Sequence, residues 1–235
     1  WCGHKDISTN ICNRIYGKSQ IAKYIPGNVF HVVGRHILGS QAGIKHIVLV
    51  GATVYEILGL LSISILIGFS GMVIFGLGDI YFSLYQIILI LFTTLVITSL
   101  AIALAPYLMS LRGIILPNKR IRDTIHNISK VYLLYFIFFL IAGLLLVIIV
   151  NTFLNINFII IAKLVVIFSI AWVAGFIIPG APGGIGVREA VIIFFITPII
   201  GEAQSIAVAI ALRFITLLGD VWFLIISDSK FYLKK

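Results

Sequence analysis

The chain has 235 residues, 61% of them hydrophobic and 11% charged, with a mean hydropathy of +1.17 and a formal net charge of +9. A soluble domain carries about 25% charged residues, so this composition excludes a water-soluble globular fold and leaves an integral membrane protein. The basic residues flank apolar stretches instead of gathering on one polar surface. That excludes a nucleic-acid partner and fits orientation in a bilayer.

Residues 1–20 are polar and mixed, with no signal peptide. The chain opens on Trp1, and N-terminal sequence upstream of it is expected. Cys2 and Cys12 have neither metal-ligand nor redox spacing, and the side assigned to them below predicts reduced thiols. Residues 20–43 are mildly apolar but hold Lys23, Pro26, Gly27, His31, Arg35 and His36. That mixture suits an interfacial or re-entrant segment better than a lipid-facing span.

A helix needs roughly 20 apolar residues to cross a ~30 Å hydrocarbon core. Five stretches qualify: about 46–69, 84–108, 131–153, 158–178 and 204–226. A shorter sixth, about 186–200, follows a glycine-rich break. The predicted fold is therefore all-α. It is one transmembrane domain over 1–235, a helical bundle of about six spans with Pro/Gly-broken helices. Six crossings bring the basic N-terminal region, the 110–130 loop, the break at 179–188 and the lysine tail to one face. All of the 17 Lys and Arg residues except Lys163 and Arg213 then lie there. That face is assigned to the cytoplasm of an inner membrane.

Two stretches share a frame. Ile25-Pro26-Gly27 has Arg35 eight residues past its glycine, and Ile178-Pro179-Gly180 has Arg188 at the same offset. Paired breaks in the two halves of a membrane protein point to a substrate site, because lipid cannot satisfy exposed backbone groups. The second break is the denser. Pro179 and Pro182 interrupt a helix, while Gly180, Gly183, Gly184 and Gly186 permit backbone angles that other residues avoid. A helix starting near Val187 would offer free N–H groups to an anion. Arg188 adds a cation suited to bidentate phosphate contacts. The other reading is a turn joining two spans, with Arg188 reaching headgroups and Glu189 simply complementing the helix dipole. The first frame is open between a counterpart site at Arg35 and an amphipathic interfacial helix.

Glu56 lies inside a span, where an ionisable group is a functional candidate, and Arg213, Arg35 or Arg188 could pair with it. Arg213, Thr216 and Asp220 share one face of the last span. Arg213 and Asp220 could pair with each other or reach Glu56. Lys163 reads as snorkelling to an interface. No catalytic set, metal-ligand spacing or cofactor motif is visible in the sequence, so neither an enzyme nor a cofactor or metal is expected.

Lys23-Tyr-Ile-Pro-Gly-Asn-Val-Phe with Gly34-Arg35, then Glu56, then Pro179-Gly-Ala-Pro-Gly-Gly-Ile-Gly-Val-Arg-Glu-Ala190 resembles the lysylphosphatidylglycerol synthetase transmembrane-region family. The resemblance covers nearly the whole chain. It implies a flippase-like membrane protein that moves a polar lipid between leaflets. The matching positions are Tyr24, Pro26, Gly27, Arg35, Glu56, Pro179, Pro182, Gly183, Gly184, Gly186, Arg188 and Glu189. Full family domains have one or two more N-terminal spans, and the soluble aminoacyl-transfer domain of the bifunctional members is absent here. Synthesis of an aminoacylated lipid is therefore not implied.

The expected partner is a membrane lipid with a phosphate headgroup. It would be held by Arg35, Arg188 and the helix start near Val187, with Glu56, Arg213 and Asp220 as a polar lining. The alternative is a non-transporting scaffold for a glycosyltransferase or another envelope-synthesis enzyme. An enzyme acting on a lipid phosphate is a third and weaker reading.

Overall fold

A computed structural model describes residues 8–25, 30–75, 118–178 and 180–232. These form seven α-helices and no strand. They are α1 (Thr9–Ile21), α2 (Phe30–Gln41), α3 (His46–Phe75), α4 (Asn118–Val150), α5 (Phe158–Ile177), α6 (Val187–Ile200) and α7 (Glu202–Tyr232). Short 3₁₀ turns lie at Ala22–Tyr24 and Pro182–Gly184. Five stretches are long and apolar enough to cross a membrane: Val48–Phe75, Ser129–Val150, Phe158–Ile177, Pro182–Ile200 and Glu202–Asp228. They coincide with five of the six predicted spans. The sixth, 84–108, lies outside the described residues, as do Pro26, Gly27 and Pro179.

Local chemistry sets the helix ends. Asn157 caps α5 by accepting the Ile160 N–H at 3.0 Å, which satisfies one of the free donors at the helix start. At the other end Ile178 turns extended, at φ −74° and ψ 113°, as expected for a residue that precedes a proline. Gly201 alone separates α6 from α7, and its φ of +87° reverses the chain.

The core lies between α4, α5, α6 and α7, where Phe139, Leu146, Leu164, Ile167, Ile196 and Val208 are fully buried. α5 runs through the middle. Glycines let its neighbours approach: a Cβ on Gly143 of α4 would come within 2.8 Å of the Val165 backbone, and one on Gly71 of α3 would strike the Val166 side chain. Small residues at helix contacts are the usual device where apolar burial gives no net drive in lipid. The outer surface is apolar, with Ile141, Ile148, Phe194 and Trp222 each about two-thirds exposed. In water such a surface would aggregate, so this is a membrane-embedded bundle.

The N-terminal segment is a helical hairpin. Along α1, Arg14 meets Asp228, Gly17 meets Leu224 and Ser227, and Tyr16 meets Phe223. Lys23, just past α1, reaches Asp220. Position rises on one partner as it falls on the other, so the segment runs antiparallel to α7. α2 then returns along α1, placing Arg35 over the Tyr16 ring with its guanidinium carbon 4.5 Å from the centroid. At 1.5 Å per residue each arm is only about 20 Å long, too short to cross the bilayer. Cys12 is buried and disulfide-bonded. This corrects the expectation of reduced thiols, which rested on compartment and not on geometry.

Candidate functional site

Tyr24, at the end of the first arm of the N-terminal hairpin, touches the second backbone break. Gly183 packs so closely on Tyr24 that a Cβ would lie 3.3 Å from the tyrosine Cε1 and 3.3 Å from Arg213 Nη2. Gly183 itself has φ +57°, a conformation glycine adopts without strain. Glycine is thus favoured here for its conformation, and a side chain would also press on Tyr24 and Arg213.

Around this junction lies a nest of charge. On α7, Asp220 accepts the Tyr24 hydroxyl at 2.5 Å and pairs with Lys23 Nζ at 2.7 Å. One and a half to two turns earlier on the same helix, Arg213 donates through Nη1 to the Gly183 carbonyl at 3.1 Å. That bond satisfies a carbonyl left open by the break. Arg213 also lies 3.5 Å from Glu189 Oε1 and with its guanidinium carbon 5.4 Å from the centre of the Tyr24 ring. Glu189 turns back to accept the Gly186 N–H at 2.7 Å. The start of α6 therefore already holds a carboxylate of its own, where the sequence suggested a vacant anion cradle.

Arg188 is placed differently. Its side chain runs across the glycine faces of Gly175 and Gly184, where a Cβ would stand 2.8 Å and 2.6 Å from its Nε. Its guanidinium carbon sits 5.6 Å from the Trp172 ring centre, within cation–π range. Arg188 Nε, Arg213 Nε and Arg213 Nη2 are buried and have no hydrogen-bond partner among the described residues. Lys23 has its pKa lowered by burial, with Asp220 opposing and both Arg188 and Arg213 adding to the depression. Burial raises the pKa of Tyr24, and its bond to Asp220 pushes the same way, so it remains a donor.

A second cluster lies beside the first. Glu56 of α3 pairs with Arg35, which is 3% exposed, and also accepts the Tyr16 hydroxyl at 3.3 Å. Burial, with the adjacent Glu56 charge, raises the Tyr16 pKa to about 12. His31 feels the charges of both groups. Its pKa is lowered first by burial, then by Arg35, with Glu56 opposing and Lys23 adding.

Of the sequence-predicted residues, Gly183, Gly184, Gly186, Arg188, Glu189, Arg213 and Asp220 converge on the first cluster. Arg35 and Glu56 form the second. Gly180 has φ +89° and Pro182 opens the 3₁₀ turn, so both act in the break. The pairings between Arg213 and Asp220, and between Glu56 and either Arg213 or Arg188, do not form. The hairpin supplies nearer partners for both acids. Lys23, Tyr16, Trp172 and Gly175 were not picked out as site residues. Lys23 adjoining the Tyr24-Ile25-Pro26-Gly27 break was the available signal.

No protein-family model, curated protein or solved structure matches the chain. The chemistry of the site therefore stands on its own residues.

Proposed function

We propose that this protein is a lipid translocase that carries a phosphate-containing headgroup across the bilayer through the junction of its N-terminal hairpin with the Pro182–Gly184 break. The observation that carries this reading is the set of buried guanidinium nitrogens on Arg188 and Arg213 that lack an acceptor. A buried donor without a partner is costly, and a phosphate oxygen would satisfy two at once. Arg213 lies near the middle of the Glu202–Asp228 span, which favours a headgroup site at depth over one at the surface. The resemblance carried by Pro179–Ala190 points the same way.

In this reading the headgroup binds Arg188 and Arg213 while the acyl or polyprenyl tails stay in lipid. No bond is made or broken. The basic loops and the C-terminal tail face the cytoplasm of an inner membrane. The test is a proteoliposome assay that follows a fluorescent phosphatidylglycerol between leaflets. Removing a charge-assisted contact costs ~1.5–3 kcal/mol, so Arg188→Ala is expected to slow transport about ten- to a hundredfold with insertion intact. Transport at the original rate in that variant would overturn the assigned role.

A further inference from the structure

The charges of the two clusters can be paired off. Glu56 is taken by Arg35, Asp220 by Lys23, and Glu189 by Arg213. His31 is held toward its neutral form by its burial and its cationic neighbours. Among the described residues this leaves Arg188 as the unpaired cation of the nest, stacked on Trp172 with a buried Nε that has no acceptor.

Resting on the transport reading above, we infer that the site selects a headgroup bearing a single negative charge and no amine, that is, a phosphodiester closed by hydroxyl-bearing groups. One uncompensated charge in a poorly solvated site is strongly unfavourable. A monoanion brings the nest to neutrality. A phosphomonoester or diphosphate, with two or more charges, leaves it negative by at least as much as it was positive. A zwitterion leaves the original excess in place, because the carboxylates that could hold its ammonium already hold Lys23 and Arg213. A diester also presents two non-bridging oxygens, which match the fork of a guanidinium.

The experiment measures which lipids the purified protein retains from an equimolar mixture of phosphatidylglycerol, phosphatidylethanolamine and phosphatidate, by native mass spectrometry. Phosphatidylglycerol is expected to be enriched by at least roughly tenfold, a conservative figure for one unbalanced charge at partial burial. Two variants on different helices, Glu189→Gln and Asp220→Asn, each add one positive charge. Both are expected to shift the preference toward phosphatidate. Lys23→Gln removes one and is expected to shift it toward phosphatidylethanolamine. Opposite shifts from opposite charge changes are not what a purely structural defect produces.

Retention of anionic lipids with no change of preference across the variants would overturn the charge rule and leave transport standing. Retention of none by any protein would overturn both. Addition of the soluble diester glycerophosphoglycerol alone separates the two sources of this chemistry. Thermal stabilisation equal to that given by the lipid would overturn a lipid as the ligand.

Discussion

His31 lies within electrostatic reach of both ion-paired groups. A free histidine titrates near 6.5, and in the fold burial and the Arg35 charge lower that value. As pH falls through about 6.5, the unfolded chain takes up the proton first, so stability must decline with acidification. The melting temperature in detergent is expected to drop between pH 7 and pH 5.5, and to drop less in His31→Gln. His36 shifts the same way, through burial and then His46 and Arg35. The difference between the two proteins, and not the whole slope, therefore reports on His31. An unchanged slope in the variant would contradict its placement. At this scale the sequence was legible for Glu56, Arg213 and Asp220, because an ionisable group inside an apolar run stands out. Their partners were not legible. Pairing depends on which residues share a depth, and nothing in the spacing of Lys23 and Asp220 shows that the folded hairpin brings them together.

At the level of elements, one close approach stands out among the contacts that hold the hairpin on the bundle. Gly17 of α1 lies so close to α7 that a Cβ would come 3.1 Å from Ser227 Cβ and 3.6 Å from the Leu224 Cα. Gly17→Leu must therefore push α1 away, and overpacking of this kind costs ~1–3 kcal/mol. The expected result is a lower melting temperature together with faster labelling of Lys23 by an amine-reactive probe, as its pair with Asp220 opens. Labelling at the original rate would show that the tip docks independently of α1. The spans themselves were easy to read from apolar length. α1 was not, because Thr9–Ile21 is a polar, mixed stretch whose buried face of Cys12, Ile15, Gly17 and Ser19 combines small and polar residues with a single large apolar one. α4 also begins at Asn118, well before its apolar part, since a helix continues past the hydrocarbon edge as long as its backbone bonds are made.

For the molecule as a whole, the two ends of α4 test orientation. Lys119, Arg120, Arg122 and Lys130, expected in a loop, lie in the N-terminal part of this helix ahead of its apolar run, and Asn151 and Thr152, both exposed, follow it. In intact cells, and in a background without the native cysteines, Thr152→Cys is expected to react with a membrane-impermeant maleimide. Lys130→Cys is expected to react only after permeabilisation. The reverse pattern would invert the topology and place the nest's approach on the other side. The helical bundle could be anticipated from composition, since few other folds hide every backbone group in lipid. The approach of Tyr24 to the Pro182–Gly184 turn could only be suggested by the shared frame of the two stretches. Sequence spacing carries no information on how a hairpin leans against α7.

Gly201 is a mechanical joint. With a single residue between them, α6 and α7 are prongs of one fork, and the bond from Arg213 to Gly183 ties the open end shut. Tilting the last helix must therefore drag both guanidiniums along as a fixed pair. Any rearrangement that opens the junction has to come from the other wall, where the short N-terminal arms can swing aside without unfolding the fork.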